Sequence, residues 1–193
     1  MINSKREYKR YIKEDLRHRY KSKPSYLKLL TDEVWRYQRL LRRCEYLKNT
    51  SRFHTPYMNP LYCLSKYLLR KKSIQLGFSI PENCFEEGLS IAHYGNIVVN
   101  PNARIGKNCR IHTGVNIGSS AIEDGFPEIG NNAYIGPGAK IFGAIVIGDN
   151  TVIGANAVVN KSFPEGGVTL GGIPAKVISN KSSKYIIIRN SAE

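Results

Sequence analysis

The sequence predicts an α+β chain, with an N-terminal helical region followed by a left-handed parallel β-helix of about five coils. Three observations carry that prediction. Apolar residues recur every three or four positions over the stretch 1–76, they recur every six positions from residue 99 onward, and the net charge of +14 is confined to the first of these regions.

The helical part reads as three segments. "SKREYKRYIKEDLRHRYK" repeats Tyr8, Ile12, Leu16 and Tyr20 at a spacing of four and breaks near Pro24. "SYLKLLTDEVWRYQRLLRRCEYLKN" places Leu27, Leu30, Val34, Tyr37, Leu41 and Cys44 on one stripe, as a single amphipathic helix would. "PLYCLSKYLLRKKSIQLG" starts at Pro60 and stops at Gly77, the asymmetry expected of a helix start and end. These stripes are packing surfaces, and none of their residues is a site candidate.

From residue 99 the register changes. Val99, Ile105, Ile111, Ile117, Ile129, Ile135, Ile141, Ile147 and Ile153 stand at multiples of six, with only Glu123 breaking the series. Four residues after each comes a mostly small side chain. Three residues after each, Asn or Gly dominates (Asn102, Asn108, Gly114, Asn132, Gly138, Asn150, Asn156). A hexapeptide repeat of this kind folds as a parallel β-helix: aliphatic side chains fill the axis, small ones fit the corners, and Asn or Gly takes the turn position that needs positive φ. "SSAIEDGFPE" (119–128) keeps the register but breaks the columns, so it is expected to leave the coil as a loop. The resulting division is a basic helical domain over 1–76, a β-helix over 77–178 and a C-terminal tail over 179–193.

Residues 1–76 hold 20 Lys/Arg against 6 Asp/Glu, and the remainder is neutral. Such asymmetry points to an anionic neighbour for the helices, with an anionic membrane surface the expected one; no nucleic-acid recognition motif accompanies the charge. No apolar run approaches the ~20 residues a membrane span requires, and the N-terminus lacks a signal-peptide pattern, so a cytoplasmic location is expected. Cys44, Cys63, Cys84 and Cys109 are widely spaced and read as reduced, mostly buried thiols.

The coils, with helices in front and "GGIPAKVI" behind, resemble the serine O-acetyltransferase branch of the hexapeptide acyltransferases over about residues 75–178. The segment "LSIAHYGNIVVNPNARIGKNCRIH" is similar to that of serine acetyltransferase-like enzymes associated with capsule and exopolysaccharide biosynthesis. The resemblance implies an acetyl-CoA-dependent O-acetyltransferase, a homotrimer with sites between subunits or a dimer of trimers, and no metal. It makes His93 the general base, a task suited to a neutral imidazole. The opposing reading packs His93 inward, since it lies six residues before Val99. By the same resemblance pantetheine runs past the main chain at Pro137, Gly138 and Ala155. The amide of Ser119, just after Gly118, would face the thioester oxyanion. Lys176, and less strongly Lys161, would meet the cofactor phosphates.

Departures from the family pattern concern the acceptor. An aspartate that precedes the histidine in serine acetyltransferases is Ala92 here. A second, which orients the imidazole, aligns with Ser79, and an Arg-His pair before a proline is Gly125 and Phe126 before Pro127. An amino acid needs partners for its ammonium and its carboxylate, so a sugar hydroxyl is the preferred acceptor, with Phe126 facing it. L-serine is the first alternative, and an inactive basic scaffold binding membrane or nucleic acid is the second. His112, nineteen residues after His93, is either a surface histidine on a flat face, the reading preferred here, or a substrate-binding group beside His93.

Overall fold

The computed structural model describes residues 1–20, 22, 24–51, 58–120 and 124–183. Four helices come first: α1 (Lys5–Arg19), α2 (Tyr26–Thr31), α3 (Glu33–Asn49) and α4 (Pro60–Leu76). Side-chain caps take otherwise unpaired amides at their starts. Ser4 accepts from Glu7 N at 3.1 Å, Asp32 from Trp35 N at 3.0 Å, and Asn59 from Leu61 N at 3.0 Å. Helix α4 ends at Gly77, in the left-handed region with φ 77°.

Two expectations about the helices need correction. The stripe from Leu27 to Cys44 is not one helix, because Asp32 turns its carboxylate onto the Trp35 amide and onto Arg19, ending α2 and capping α3. Leu27 and Leu30 are consequently exposed, while Val34, Tyr37, Leu41 and Cys44 are buried. In α1 the fully buried positions are Tyr11 and Asp15, and Tyr8, Ile12, Leu16 and Tyr20 are only half-buried.

Short strands then wind into three parallel faces. One face stacks Phe78–Ser79, Ile97–Val99, Asn116–Gly118, Lys140–Phe142 and Val158–Val159. The second stacks Arg104–Ile105, Glu128–Ile129 and Val146–Ile147. The third stacks Ser90–Ile91, Arg110–Ile111, Tyr134–Ile135, Val152–Ile153 and Thr169–Gly172, and closes with the antiparallel Ala175–Ser179. All nine aliphatic register positions are at most 3% exposed. Asn108, Asn132, Asn150 and Asn156 adopt φ of 56–59°, and Gly114 and Gly138 φ of 77° and 74°, but Asn102 stays out of this region. Ile135 pairs with Ile153, three hexapeptides further on, whereas Ile111 pairs with Ile135, four hexapeptides further on. The extra hexapeptide belongs to the expected loop. Ala121 and Glu123 lie outside the described residues.

The open edge of the first coil is closed by helix side chains. Asp15 accepts from Gly88 N at 2.8 Å and Leu89 N at 2.9 Å, and Gln38 donates to Leu89 O at 2.7 Å. Arg42 donates to Phe85 O at 2.8 Å and Glu86 O at 2.7 Å, and Glu45 accepts from Asn83 N at 2.8 Å. Arg42 is itself fully buried and paired with Asp15 at 2.8 Å and Glu45 at 2.9 Å. A sheet edge buried under helices needs its backbone groups satisfied, and these four residues supply the partners. The Cys44, Cys84 and Cys109 thiols are buried, and Cys63 is exposed.

Candidate active site

The chain turns from the third face to the first at 92–96, 112–115, 136–139 and 154–157, so these four segments stack along one edge. His93, His112, Pro137, Gly138 and Ala155 all lie on it. Close approach between successive turns is built in. A Cβ on Gly136 would stand 2.8 Å from Ala155 N, and one on Gly114 would stand 3.2 Å from Gly138 Cα.

His93 is exposed, not inward. The reason is local. Ile111 and Ile117 are six residues apart, but the corresponding Ile91 and Val99 are eight apart. Two extra residues widen this corner, Ile91 (0% exposed) takes the inward place, and His93 and Tyr94 are pushed out. Among the described residues no hydrogen bond or ion pair reaches His93. Its ring faces His112, centroids 6.3 Å apart. Ser79, paired in register with Val98, is not hydrogen-bonded to it.

His112 is not a solvated surface residue. It is half-buried, packs on Tyr134 with centroids 5.0 Å apart, and its Nε2 is buried without a hydrogen-bond partner. Burial, then Arg110, then His93 push its pKa down to about 4, so the ring is neutral at pH 7. Arg110 is the residue that sequence reasoning missed. It shares the outward side of its strand with His112, on either side of the inward Ile111, and donates to Ser90 Oγ at 3.2 Å. The alternation was available as a signal, but the register with Ser90 and Tyr134 was not.

Other expected site residues are spread more widely. Ala92 is half-buried beside His93, its amide bonded to Ile111 O at 2.9 Å. Gly118 and Ser119 lie on the next edge, where the first face turns to the second, as do Gly125 and Phe126 before the buried Pro127. Within one subunit Ser119 and Phe126 therefore do not share the edge of His93. The Gly138 amide is committed to Thr113 O at 2.9 Å and the Pro137 carbonyl to Asn156 N at 2.8 Å, whereas the Ser119 and Ala155 amides donate no backbone hydrogen bond among the described residues. Lys161 is exposed over Phe163, and Lys176 is exposed on the closing hairpin opposite Gly171.

One feature lies away from this edge. A cavity of about 610 Å³ between α1, α3 and α4 is lined by Arg36, Arg39, Arg43, Lys71 and Lys72 over Leu40 and Leu68. Among the described residues no cluster of three or more His, Cys, Asp or Glu is arranged to hold a metal, and no helix is long and apolar enough to cross a membrane.

Residues 126–161 match the family described as bacterial transferase hexapeptide (six repeats). A serine acetyltransferase of Synechococcus elongatus is 34% identical over 128 residues, covering 65% of this chain and 52% of the relative. One from Helicobacter pylori is 33% identical over 129 residues, covering 65% of this chain and 75% of the relative. In three dimensions the chain is similar to serine acetyltransferase from Brucella abortus (TM-score 0.74, 27% identity, 93% of this chain and 72% of that one). It also matches that enzyme in complex with coenzyme A (TM-score 0.71, 26% identity, 92% and 70%). The chain spans about half the length of the Synechococcus relative and three quarters of the Helicobacter one. With the repeat, the faces, the helices ahead of them and these relatives in agreement, the chain belongs to the serine acetyltransferase family, a branch of the hexapeptide acyltransferases with a left-handed β-helix.

Proposed function

We infer that the chain is an acetyl-CoA-dependent O-acetyltransferase that transfers acetyl directly to an alcohol, with His93 as general base. The observation that carries this reading is an exposed histidine, free of protein hydrogen bonds among the described residues, on the same edge as the close-packed turns at Pro137, Gly138 and Ala155. Acetyl-CoA supplies the acetyl thioester, and the Brucella relative's complex with coenzyme A supports that co-substrate. His93 takes the acceptor's hydroxyl proton as the new C–O bond forms, then returns it to sulfur as the C–S bond breaks. General-base assistance of this kind contributes about 10²–10⁴-fold. The Ser119 amide is the donor assigned to the developing oxyanion, and Lys176 and Lys161 the partners of the cofactor phosphates.

On the acceptor, the relatives, which are serine acetyltransferases, favour L-serine over the sugar hydroxyl preferred from sequence alone. A sugar hydroxyl, as in polysaccharide biosynthesis, stays as the second reading. Ala92 and the lack, among the described residues, of any carboxylate hydrogen-bonded to His93 favour it. Because Ser119 and His93 occupy different edges, one reaction centre needs two subunits side by side, which supports a homotrimer. The basic helices and their cationic cavity would hold the enzyme at an anionic membrane surface on the cytoplasmic side. Equal retention on neutral and anionic vesicles would remove that placement.

Thiol release from acetyl-CoA, measured with L-serine and with a panel of sugars, tests the reading. Release with one acceptor and its loss in His93→Ala are expected. Acetyl transfer that survives His93→Ala would overturn the role of His93, and no transfer with any acceptor would overturn the activity.

A further inference from the structure

Three arginines among the described residues are buried or half-buried: Arg19, Arg42 and Arg110. Taking a guanidinium out of water is costly unless an anion meets it. Arg42 has Asp15 and Glu45, and Arg19 has Asp32, whose Oδ2 lies 2.6 Å from its Nη2. Arg110 has no ion pair among the described residues. Its one hydrogen bond goes to the neutral hydroxyl of Ser90, which leaves most of its five donors unused.

Its surroundings deepen the imbalance. Burial disfavours the Arg110 charge, the Tyr134 hydroxyl offsets this only in part, and nearby Arg19 disfavours the charge further. One residue beyond the inward Ile111, His112 carries a buried Nε2 with no partner, and its ring faces His93. The third face therefore holds one uncompensated cation where it runs into this edge, and the edge holds one unmet polar atom on the ring that lies against the histidine read as the base. A guanidinium fork matches a carboxylate in a bidentate manner.

We propose that Arg110 is the specificity-determining residue for the acceptor and that it binds a carboxylate on the alcohol to be acetylated, with His112 Nε2 hydrogen-bonding the same molecule. This rests on the O-acetyltransferase reading and narrows it: the acceptor is a hydroxy acid, either L-serine or a sugar acid, rather than a neutral sugar. The missing counter-ion is then part of the substrate, and a neutral acceptor leaves Arg110 unpaired.

The test compares paired acceptors, L-serine against serinamide and glucuronate against glucose, in wild type, Arg110→Gln and Arg110→Lys. The preferred carboxylated acceptor is expected to lose about ten- to hundredfold in kcat/KM in Arg110→Gln, mostly through KM, since a hydrogen bond to a charged group is lost. Arg110→Lys is expected to recover part of it, and the partner without a carboxylate and the KM for acetyl-CoA to change less than about threefold. The serine and glucuronate arms distinguish the two sources of carboxylate. Equal losses on acceptors with and without a carboxylate would overturn the proposal, as would a change in oligomeric state in Arg110→Gln, which would assign the counter-ion to a neighbouring subunit. If wild type transfers acetyl to none of them, the activity reading fails separately. Titration calorimetry of L-serine and glucuronate then decides: carboxylate binding that Arg110→Gln abolishes upholds the site, and no binding of either overturns it.

Discussion

His93 and His112 face each other on consecutive coils with ring centroids 6.3 Å apart, and only His112 has lost its water. The pair thus divides into an exposed ring open to a substrate and a desolvated ring that resists protonation.

That desolvation has a pH signature. With the His112 pKa depressed from 6.5 to about 4, the unfolded chain binds a proton that the folded chain refuses across this window. Stability is therefore full above pH 6.5 and falls on acidification toward 4. Urea midpoints at pH 7 and pH 5 are expected to differ less in His112→Gln than in wild type, and an unchanged difference would contradict the burial described.

Asp15→Asn should cost about 3–5 kcal/mol, because it leaves Arg42 buried with half its counter-charge. Adding Arg42→Met to it should cost less than the two single losses combined, with a coupling of about 0.5–3 kcal/mol in a denaturation cycle. Additive losses would mean that the two residues act separately.

On the edge that carries His93, a methyl on Gly136 meets main chain, with Ala155 N and Ile153 O each at 2.8 Å, and main chain cannot rotate away. Gly136→Ala is expected to lose about 1–3 kcal/mol of stability by overpacking and to raise the KM for acetyl-CoA. Stability loss with an unaltered KM would place the cofactor elsewhere.

Asp32→Asn should show the opposite kind of acid behaviour from a simple surface change. Burial raises the Asp32 pKa, but the Tyr20 hydroxyl, the Trp35 amide and Arg19 outweigh it, and the net direction is down from 3.8. Its contribution is therefore present at neutral pH and lost as pH falls below that value. The variant keeps a competent N-cap, since Asn caps as well as Asp, but loses the charged partner of Arg19 and Tyr20. It should be less stable than wild type at pH 7 by about 1.5–3 kcal/mol, and the gap should narrow as pH falls below 3.8.

The β-helix was legible in the sequence because each column answers one local demand: an aliphatic side chain at the axis, a small one at the corner, Asn or Gly where φ turns positive. The loop after Ser119 was legible for the same reason, since Glu123 and Phe126 fit no column. His93 was legible from its segment, but its direction was not. The six-residue count left an inward alternative open beside the role of base, and only the pairing of Ile91 with Ile111 reveals two extra residues at that corner. Arg110 was invisible because its character depends on what is missing around it. Ser90 and Tyr134, its stack neighbours, stand at unequal separations before and after it along the chain, so no single period points to both. Asp32 misled because a charged residue within an apolar stripe reads as a solvated helix position until its three partners are seen.

The side chains that close the first coil and the hairpin that closes the last act only on the ends they touch. Asp15, Gln38, Arg42 and Glu45 contact nothing beyond Ile91 among the hydrogen bonds described, and Ala175–Ser179 pairs only with the strand before it. The coils between are interchangeable in principle: each turn of three hexapeptides presents to its neighbours the same ladder that it receives. Such a molecule can change length by whole coils over evolutionary time while keeping both terminations, so the height of the enzyme is a free variable and its ends are the inherited part.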